Sequence, residues 1–320
     1  MLTPAEARRR WRGVVAPLIT PFADDLSVDL SALRANVQWL FDRGAKPGNT
    51  ILLVAGSGGD WPMMNLEERL SVIEAVCEVN DGRLPVIAGG QSLDIRDSAT
   101  IARFCEGLAV DAIQISAPAY WAGRPGDVLA WLTELASRTS IPFALYNNWY
   151  TGYNMSFELV EQLLELPNAV GIKWTSPDID TQLAGIRRWR DRVAVVDNSW
   201  QTIMGHLEGV RAWVSHLPNF YPEWCWRVWD LMEAGDYARA TAEFDRIFVP
   251  YVALTDAISA ETAGEAVYVR PAMASRGLIG GRSLLPSRDS VVTPQIREGF
   301  RRLVAEAAAE DSPVPATAGT

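Results

Sequence analysis

The segment NAVGIKWTSPD, residues 168 to 178, contains the run AVGIKW (169 to 174), which has the length and apolar character of a buried strand. Amphipathic segments typical of helices, such as SALRANVQWLFDRG and SFELVEQLLEL, alternate with runs of this kind along the chain. The other seven runs are GVVAPLI (13 to 19), TILLVAG (50 to 56), PVIAG (85 to 89), DAIQIS (111 to 116), PFALYN (142 to 147), VAVVD (193 to 197) and RAWVS (211 to 215). Eight strands alternating with helices predict an α/β fold, the (β/α)8 TIM barrel, rather than an open doubly wound sheet.

After the eighth predicted strand the pattern is helical only, which predicts a C-terminal helical appendage on the barrel. Within it, EWCWRVW (223 to 229) is more apolar than one helix face requires, which indicates either a contact between subunits or packing on the barrel of the same chain. The tail is small and polar with two prolines, and we expect it to be disordered. The predicted divisions are an N-terminal extension (1 to 12), the barrel (13 to 220), the helical region (221 to 308) and the tail (309 to 320).

The composition restricts the class of partner. A formal net charge of -10 argues against nucleic acid or an anionic membrane. No window contains the roughly 18 apolar residues of a membrane span, and the N-terminal run MLTPAEARRRWRG lacks the apolar core of a signal peptide, so we expect a cytoplasmic protein. Three separated cysteines and two histidines make a zinc centre improbable, and we expect no metal, although a carboxylate site for magnesium stays open.

Lysine is rare in this chain, because only two of the 29 Lys and Arg residues are lysines. Lys46 lies in a turn, whereas Lys173 lies at the C-terminal end of the sixth predicted strand, where TIM barrels place their active sites. A lysine buried there loses its proton more easily than arginine and can attack a carbonyl group. The alternative is a lysine that reaches solvent or pairs with a carboxylate.

Two further patterns are candidates for chemistry. Tyr146 ends the fifth predicted strand, where its phenol could transfer a proton or simply pack the barrel mouth. The loop AGSGGDW (55 to 61) follows the second strand; its glycines would let backbone N–H groups approach a small anion, and Ser57 adds a hydroxyl. The glycine spacing does not match a dinucleotide fingerprint, so we expect no NAD.

Together these motifs resemble the dihydrodipicolinate synthase and N-acetylneuraminate lyase family over about residues 13 to 305. The helical region adds LMEAGDYARA and VRPAM, which are similar to the C-terminal signatures of that family. The matching motifs, in the family's order and spacing, are GVVAPLITPF (13 to 22), AGSGGDW (55 to 61), NLEER (65 to 69), SAPAYW (116 to 121), YN (146 and 147) and GIKW (171 to 174).

The resemblance implies a class I aldolase mechanism on a small 2-keto acid, with a covalent lysine imine and no separate cofactor. Lys173 resembles the Schiff-base lysine, Tyr146 the tyrosine that relays protons, and Ser57 the hydroxyl residue hydrogen-bonded to that tyrosine. Tyr120 is similar to the tyrosine that completes the relay, often across a tight dimer interface, so a homo-oligomer is implied, either a dimer or a homotetramer built as a dimer of dimers. The glycine loop, with Gly56, Gly58 and Gly59, matches the family's carboxylate site.

The sequence also departs from the family pattern. Gly58 replaces a second hydroxyl residue and Asp60 replaces a glutamate, so carboxylate binding is expected to depend more on backbone donors. The segment NWYTGYN (148 to 154) lacks the arginine that grips the aldehyde in dihydrodipicolinate synthases. We therefore favour a lyase acting on pyruvate or a 2-keto-3-deoxy sugar acid, by aldol chemistry or by dehydration. The alternatives are 4-hydroxy-tetrahydrodipicolinate synthase and a non-catalytic keto-acid-binding barrel, which the loss of a hydroxyl at Gly58 would suggest.

Further residues near the predicted strand ends could bind the rest of the substrate. Four tryptophans follow strands on this face and could form a pocket for a sugar ring or an aromatic group, or could pack loops. Trp149 and Trp174 are the preferred candidates of the four, the others being Trp61 and Trp121. Asn147 belongs to the YN pair, and Asp197 and Ser215 end strands seven and eight, where they could meet substrate hydroxyls.

Overall fold

In the computed structural model, which describes residues 2–118, 120, 123–150 and 152–310 with side chains up to residue 306, eight parallel strands close a barrel in sequence order. Each strand pairs with the next along the chain, and β8 pairs with β1 through Gly13 and Ala212. The strands are β1 Gly13–Pro17, β2 Thr50–Val54, β3 Val86–Gly89, β4 Ala112–Ser116, β5 Phe143–Tyr146, β6 Ala169–Trp174, β7 Ala194–Asp197 and β8 Ala212–Val214. The predicted TIM barrel is confirmed.

Helices follow the strands and continue beyond the barrel. Polar N-caps start several of them: Asn65 accepts a hydrogen bond from Glu68 N in a reciprocal capping box, and Ser156 accepts one from Leu159 N. The helices are α1 Pro4–Arg10, α2 Leu30–Asp42, α3 Leu66–Asn80, α4 Ile95–Glu106, α5 Pro125–Ala136, α6 Phe157–Leu164, α7 Ile179–Trp189, α8 Thr202–Leu207, α9 Pro222–Glu233, α10 Tyr237–Glu243, α11 Val249–Ser259, α12 Ala266–Ser275 and α13 Pro294–Glu310. A π-helical turn, Phe244–Phe248, joins α10 to α11.

The C-terminal helices share one hydrophobic core with the barrel. Trp224 and Trp229 of α9 are buried among apolar residues of the same chain, and Trp226 donates a hydrogen bond from its indole to Thr50 Oγ1 at 2.9 Å. Trp213 of β8 contacts Trp224 edge to face. The idea that EWCWRVW marks a subunit interface is therefore wrong, because its tryptophans pack inside one chain.

Several smaller observations complete the fold. Cys77, Cys105 and Cys225 are buried free thiols. Across the described ranges, no helix is both long and apolar enough to cross a membrane. The predicted disordered tail falls mainly on residues 311–320, which lie outside the described residues.

Helix α1 closes the N-terminal end of the barrel. Its C-cap residue, Trp11, is 1% exposed and packs against the inward side chains of the strands, and its indole donates to Asp111 Oδ2 at 3.2 Å. A Cβ atom on Gly171 of β6 would lie 2.5 Å from the Trp11 ring, so this strand needs glycine where the indole enters. The N-terminal segment is thus part of the barrel core.

We predict that Trp11→Ala lowers the free energy of unfolding by about 3–5 kcal/mol, because it leaves a cavity at the barrel base and removes the indole hydrogen bond to Asp111, whose carboxylate keeps only its contact with Arg10. Urea denaturation followed by circular dichroism measures the change. Arg9→Ala, an exposed change on the same helix, is the control and should alter stability by less than about 0.5 kcal/mol. Equal stability of the two variants would contradict the role of Trp11.

Candidate active site

A cavity of about 1020 Å³ opens where the carboxyl ends of the strands meet the C-terminal helices. Barrel residues and residues of α11 and α12 both contribute to its wall. The predicted site residues that line it are Ser57, Gly58, Tyr120, Trp149, Lys173 and Ser215. The cavity therefore has the location that TIM-barrel enzymes use for catalysis.

Lys173 lies at the cavity wall near the end of β6, with its backbone in register with Tyr146 of β5. Only 7% of the residue is exposed, and its Nζ lies 4.2 Å from the centroid of the Tyr146 ring. Burial lowers the pKa of Lys173 to about 8, and the negative charge of Glu265 partly opposes that shift. At pH 7 about a tenth of the amine is then neutral.

Tyr146 is buried at the end of β5, and its hydroxyl shares a hydrogen bond with the hydroxyl of Tyr150. Burial, the neighbouring Tyr150 and Glu265 raise the pKa of Tyr146 well above its usual value. Tyr150 keeps 45% of its surface exposed, yet burial around its hydroxyl raises its pKa to about 12. Both phenols are therefore protonated at neutral pH and suited to donating hydrogen bonds.

Tyr150 was not among the residues predicted from the sequence. The resemblance assigns the hydrogen bond of Tyr146 to Ser57, whereas in the structure the hydroxyl partner is Tyr150, four residues further along the chain. Ser57 lines the same cavity from the loop after β2. Tyr120 also faces the cavity, with 82% of its surface exposed and a positive φ of 42°.

The glycine loop after β2 is a tight 3-10 turn, Ser57–Gly59, followed by Asp60 in the left-handed region at φ 58°. Asp60 is buried, and Arg270 of α12 donates to its Oδ2 at 2.8 Å. Burial raises the pKa of Asp60, although Arg270 opposes the shift. This ion pair ties the loop to the C-terminal helices.

The three glycines predicted to bind the substrate differ in position. Gly58 faces the cavity, whereas Gly56 and Gly59 shape the turn. A Cβ on Gly59 would lie 2.8 Å from the Leu18 carbonyl oxygen, so backbone packing already requires glycine there. We therefore correct the assignment of Gly56 and Gly59 from substrate contact to loop geometry.

The two preferred tryptophans lie on opposite sides of the barrel wall. Trp149 lines the cavity and donates to Thr175 Oγ1 at 3.4 Å. Trp174 is fully buried outside the barrel; its indole donates to the Gln182 carbonyl at 3.1 Å, and its ring lies 4.8 Å from that of Trp189. Successive side chains of a strand alternate between faces, so an inward Lys173 turns Trp174 outward. The prediction that Trp174 binds substrate is not supported by this placement.

Asp197 follows the same rule, because it is in register with Trp174 and shares its outward face. Its carboxylate accepts hydrogen bonds from Ser199 and Gln182, and burial raises its pKa to about 6. It lies among helices instead of reaching the cavity.

Asn147 is also buried away from the cavity wall. It donates to the Thr175 carbonyl at 2.8 Å and accepts from Met155 N at 2.8 Å, and so it holds the loop after β5. Of the other tryptophans, Trp61 lines the cavity, while Trp121 lies outside the described residues.

A histidine and a glutamate in the cavity were not predicted. His216, just after β8, hydrogen-bonds through Nε2 with Glu265 Oε2 at 3.2 Å. Burial would raise the pKa of Glu265, but the hydrogen bond and the charges of His216 and Lys173 together hold it below its usual value. Glu265 is the N-cap residue of α12, far from the barrel motifs in sequence. In the described part of the chain, no three His, Cys, Asp or Glu side chains are grouped as metal ligands.

Comparison with known proteins identifies relatives of this chain. The profile of the dihydrodipicolinate synthetase family matches residues 10–302. The 4-hydroxy-tetrahydrodipicolinate synthase of Methanoculleus marisnigri is 31% identical over 235 residues, which cover 72% of this chain and 79% of that protein. The enzyme of the same name from Methylobacterium radiotolerans is 28% identical over 241 residues, covering 75% and 79%.

Solved structures show the same fold. The sialic acid aldolase of Ruminococcus gnavus superposes with a TM-score of 0.83 at 19% identity, covering 94% of this chain and 99% of that one. The dihydrodipicolinate synthase of Acinetobacter baumannii, solved with pyruvate, gives a TM-score of 0.81 at 24% identity, covering 93% and 99%.

We predict that a small amine-modifying reagent reacts with Lys173 at a rate that is half-maximal near pH 8. Only the neutral amine reacts, and the pKa of Lys173 is lowered to about 8. Limited acetylation by acetic anhydride, which reacts with the neutral amine and does not itself titrate in this range, is read by peptide mass spectrometry between pH 6 and 10.5 and measures the titration. The variant Lys46→Arg removes the other lysine and should leave the midpoint unchanged. A rate that still rises tenfold per pH unit between pH 9 and 10 would contradict the lowered pKa.

Proposed function

This chain belongs to the dihydrodipicolinate synthetase family, and we propose that Lys173 is the residue through which it forms a Schiff base with its substrate. Members of this family are lyases that act on pyruvate-type 2-keto acids through a lysine imine, and this chain is an enzyme of that class. The observation that carries the assignment to Lys173 is a buried amine with a pKa of about 8 on the wall of the barrel-mouth cavity. The chain's only other lysine, Lys46, is exposed.

The reaction begins when the neutral amine of Lys173 attacks the keto carbon, C2, and gives a carbinolamine. Proton transfer to its hydroxyl lets water leave, and a protonated imine remains. We propose Tyr146 for this transfer; the support is that Nζ lies over its ring and that its hydroxyl is linked to that of Tyr150. The imine then accepts electrons from the C3–C4 bond in aldol cleavage, or from a C3–H bond in dehydration.

We assign the substrate carboxylate to the loop at Ser57 and Gly58. Ser57 brings its hydroxyl to the cavity wall, Gly58 lies beside it there, and the Asp60–Arg270 ion pair fixes the position of the loop. Such a site holds one carboxylate close to the lysine.

The rest of the cavity favours a substrate whose distal part is uncharged. Aromatic and hydroxyl side chains, among them Trp149, Trp200 and Ser215, form much of the wall. No arginine lines the described cavity, whereas several carboxylates do: Asp60, Asp178, Asp256 and Glu265. A second negative charge on the substrate would be repelled, so we propose a 2-keto-3-deoxy sugar acid, for which indole faces and hydroxyls are suitable partners.

The alternative function is that of the curated relatives named 4-hydroxy-tetrahydrodipicolinate synthase. That condensation needs a second substrate, an aspartate-derived aldehyde that itself carries a carboxylate. Residues 148–154 contain no arginine to bind it, and the cavity wall contains none within the described ranges. We therefore rank this function second. A non-catalytic keto-acid-binding barrel is set aside, because the family to which this chain belongs consists of lyases.

We also propose an assembly of at least two subunits, in which Tyr120 of one chain reaches the cavity of its neighbour. Two observations on Tyr120 support this proposal. Its large aromatic side chain is 82% exposed at the edge of the cavity, and its backbone has a positive φ. A homotetramer made of two such dimers extends the same arrangement. A cytoplasmic location is proposed on the three thiols, which stay unpaired.

The first test is Lys173→Arg, which keeps the positive charge but removes the titratable amine. We predict that turnover falls by at least about 1000-fold and that borohydride no longer adds a keto acid to the protein. The substrates are a panel of 2-keto acids, including pyruvate and 2-keto-3-deoxygluconate, and intact mass spectrometry detects the adduct. Lys46→Arg, the matched change at the other lysine, should keep both activity and adduct. An adduct that persists in Lys173→Arg would contradict the assignment.

The second test concerns the shared site. Lys173→Ala and Tyr120→Phe proteins should each be nearly inactive, but a mixture that has exchanged subunits should recover up to about a quarter of the activity, because some sites then combine two intact residues. Mixing two preparations of Lys173→Ala is the control. If hybrid oligomers form, as native mass spectrometry can show, and activity stays absent, Tyr120 acts only within its own chain.

A further inference from the structure

We propose that Glu265, oriented by His216, is the base that removes a proton from C3 of the lysine-bound substrate. This inference rests on the proposed Schiff base at Lys173. It assigns a catalytic group to α12, outside the barrel strands that carry Lys173 and Tyr146.

The pair lies in the same cavity as the amine of Lys173. Glu265 and His216 line the same cavity as Lys173 and are joined by a hydrogen bond of 3.2 Å. Glu265 is close enough to Lys173 for each charge to act on the pKa of the other. Because C3 is only two bonds from the lysine nitrogen in the imine, a base for C3 must lie near that nitrogen. The Tyr268 ring packs edge to face on the His216 imidazole, with 5.6 Å between the ring centroids, and limits the movement of the imidazole.

Gly58 provides the space for this arrangement. A Cβ atom there would lie 3.0 Å from His216 Nε2 and 3.0 Å from Pro17 Cβ, so any larger residue would displace the imidazole or the strand end. The family pattern has a hydroxyl residue at this position. In the sequence alone, Gly58 suggests a weakened anion loop. In the structure, the absence of a side chain at Gly58 leaves room for the imidazole of His216 beside Glu265.

The groups around the lysine differ in their protonation. Burial keeps the phenols of Tyr146 and Tyr150 protonated, whereas His216 and Lys173 keep Glu265 ionised. Sites that separate the pKa values of neighbouring groups in this way divide the acid and base roles between them. The titratable side chains coupled to Glu265 are Asp60, Tyr146, Tyr150, Lys173, His216, Tyr251 and Tyr268. Among these groups, the carboxylate of Asp60 is already paired with Arg270.

The step balances without a further reactant. The Glu265 carboxylate takes the C3 proton, the C–H electron pair forms the C2=C3 bond, and the C2=N electrons return to nitrogen and neutralise the iminium. The products are a neutral enamine on Lys173 and a protonated Glu265. In deuterium oxide the acid exchanges with solvent, and the reverse step returns deuterium to C3.

The test follows the methyl protons of pyruvate by nuclear magnetic resonance in deuterium oxide, together with borohydride trapping. In Glu265→Gln we expect the C3 exchange rate per imine-bearing enzyme to fall by at least about 100-fold. Trapping at Lys173 should persist, because loss of the negative charge lowers the pKa of Lys173 further and leaves more neutral amine. Glu261→Gln, the same change at an exposed glutamate four residues earlier that does not line the cavity, should change exchange by less than about threefold.

The outcomes separate this inference from the proposed function. A trapped Glu265→Gln protein that exchanges C3 at the wild-type rate overturns the role of Glu265 and leaves the Schiff base intact. A wild-type protein that traps no keto acid overturns both.

His216→Gln supplies a second test, which also decides if Glu265→Gln does not fold. Loss of the histidine raises the pKa of Glu265, so the acid limb of the exchange rate should move to higher pH, with trapping retained. A folded variant whose acid limb does not move overturns the role of the pair.

Discussion

The burial of one amine determines how the rest of this site is arranged. An ammonium group placed at the end of a strand loses its hydration, and this loss lowers the pKa of Lys173 to about 8. A fully apolar surrounding would depress it further and would leave the imine without partners for proton transfer. Glu265 supplies a compensating negative charge and Tyr146 an aromatic face, so the amine is reactive without being wholly neutral. The groups around Lys173 therefore have to balance two effects: burial, which lowers the pKa of the amine, and a nearby negative charge, which raises it.

The barrel and the buried position of Lys173 at a strand end could be predicted from the sequence because both depend on local patterns. Eight apolar runs occur as eight strands, and the observed strands start at or one residue after the predicted starts. The same local pattern, applied strictly, would have excluded Trp174 as a substrate contact, because a residue next to an inward-facing Lys173 must face outward. That error arose from treating every residue at a strand end as a member of the site.

The residues that sequence reasoning missed depend on long-range packing. His216 and Glu265 meet only because α12 folds over the barrel mouth, and no spacing rule connects a strand end to the N-cap of a distant helix. Tyr150 could have been noticed as a second tyrosine near Tyr146, but the loop conformation that joins their hydroxyls is not encoded in a short motif. The absence of a side chain at Gly58 can be explained only once the structure shows His216 next to it.

The ion pair between Asp60 and Arg270 has a consequence for how such chains can be recombined. It joins the loop after β2 to α12, and the same helix supplies Glu265 to the cavity. A chimera made by exchanging everything after residue 220 between two relatives would therefore take Asp60 from one parent and Arg270 from the other, although the cut falls in the short segment between β8 and α9. The unit that evolution or an engineer can exchange without repair is the loop together with its helix, which lie far apart in the gene and adjacent in the folded enzyme.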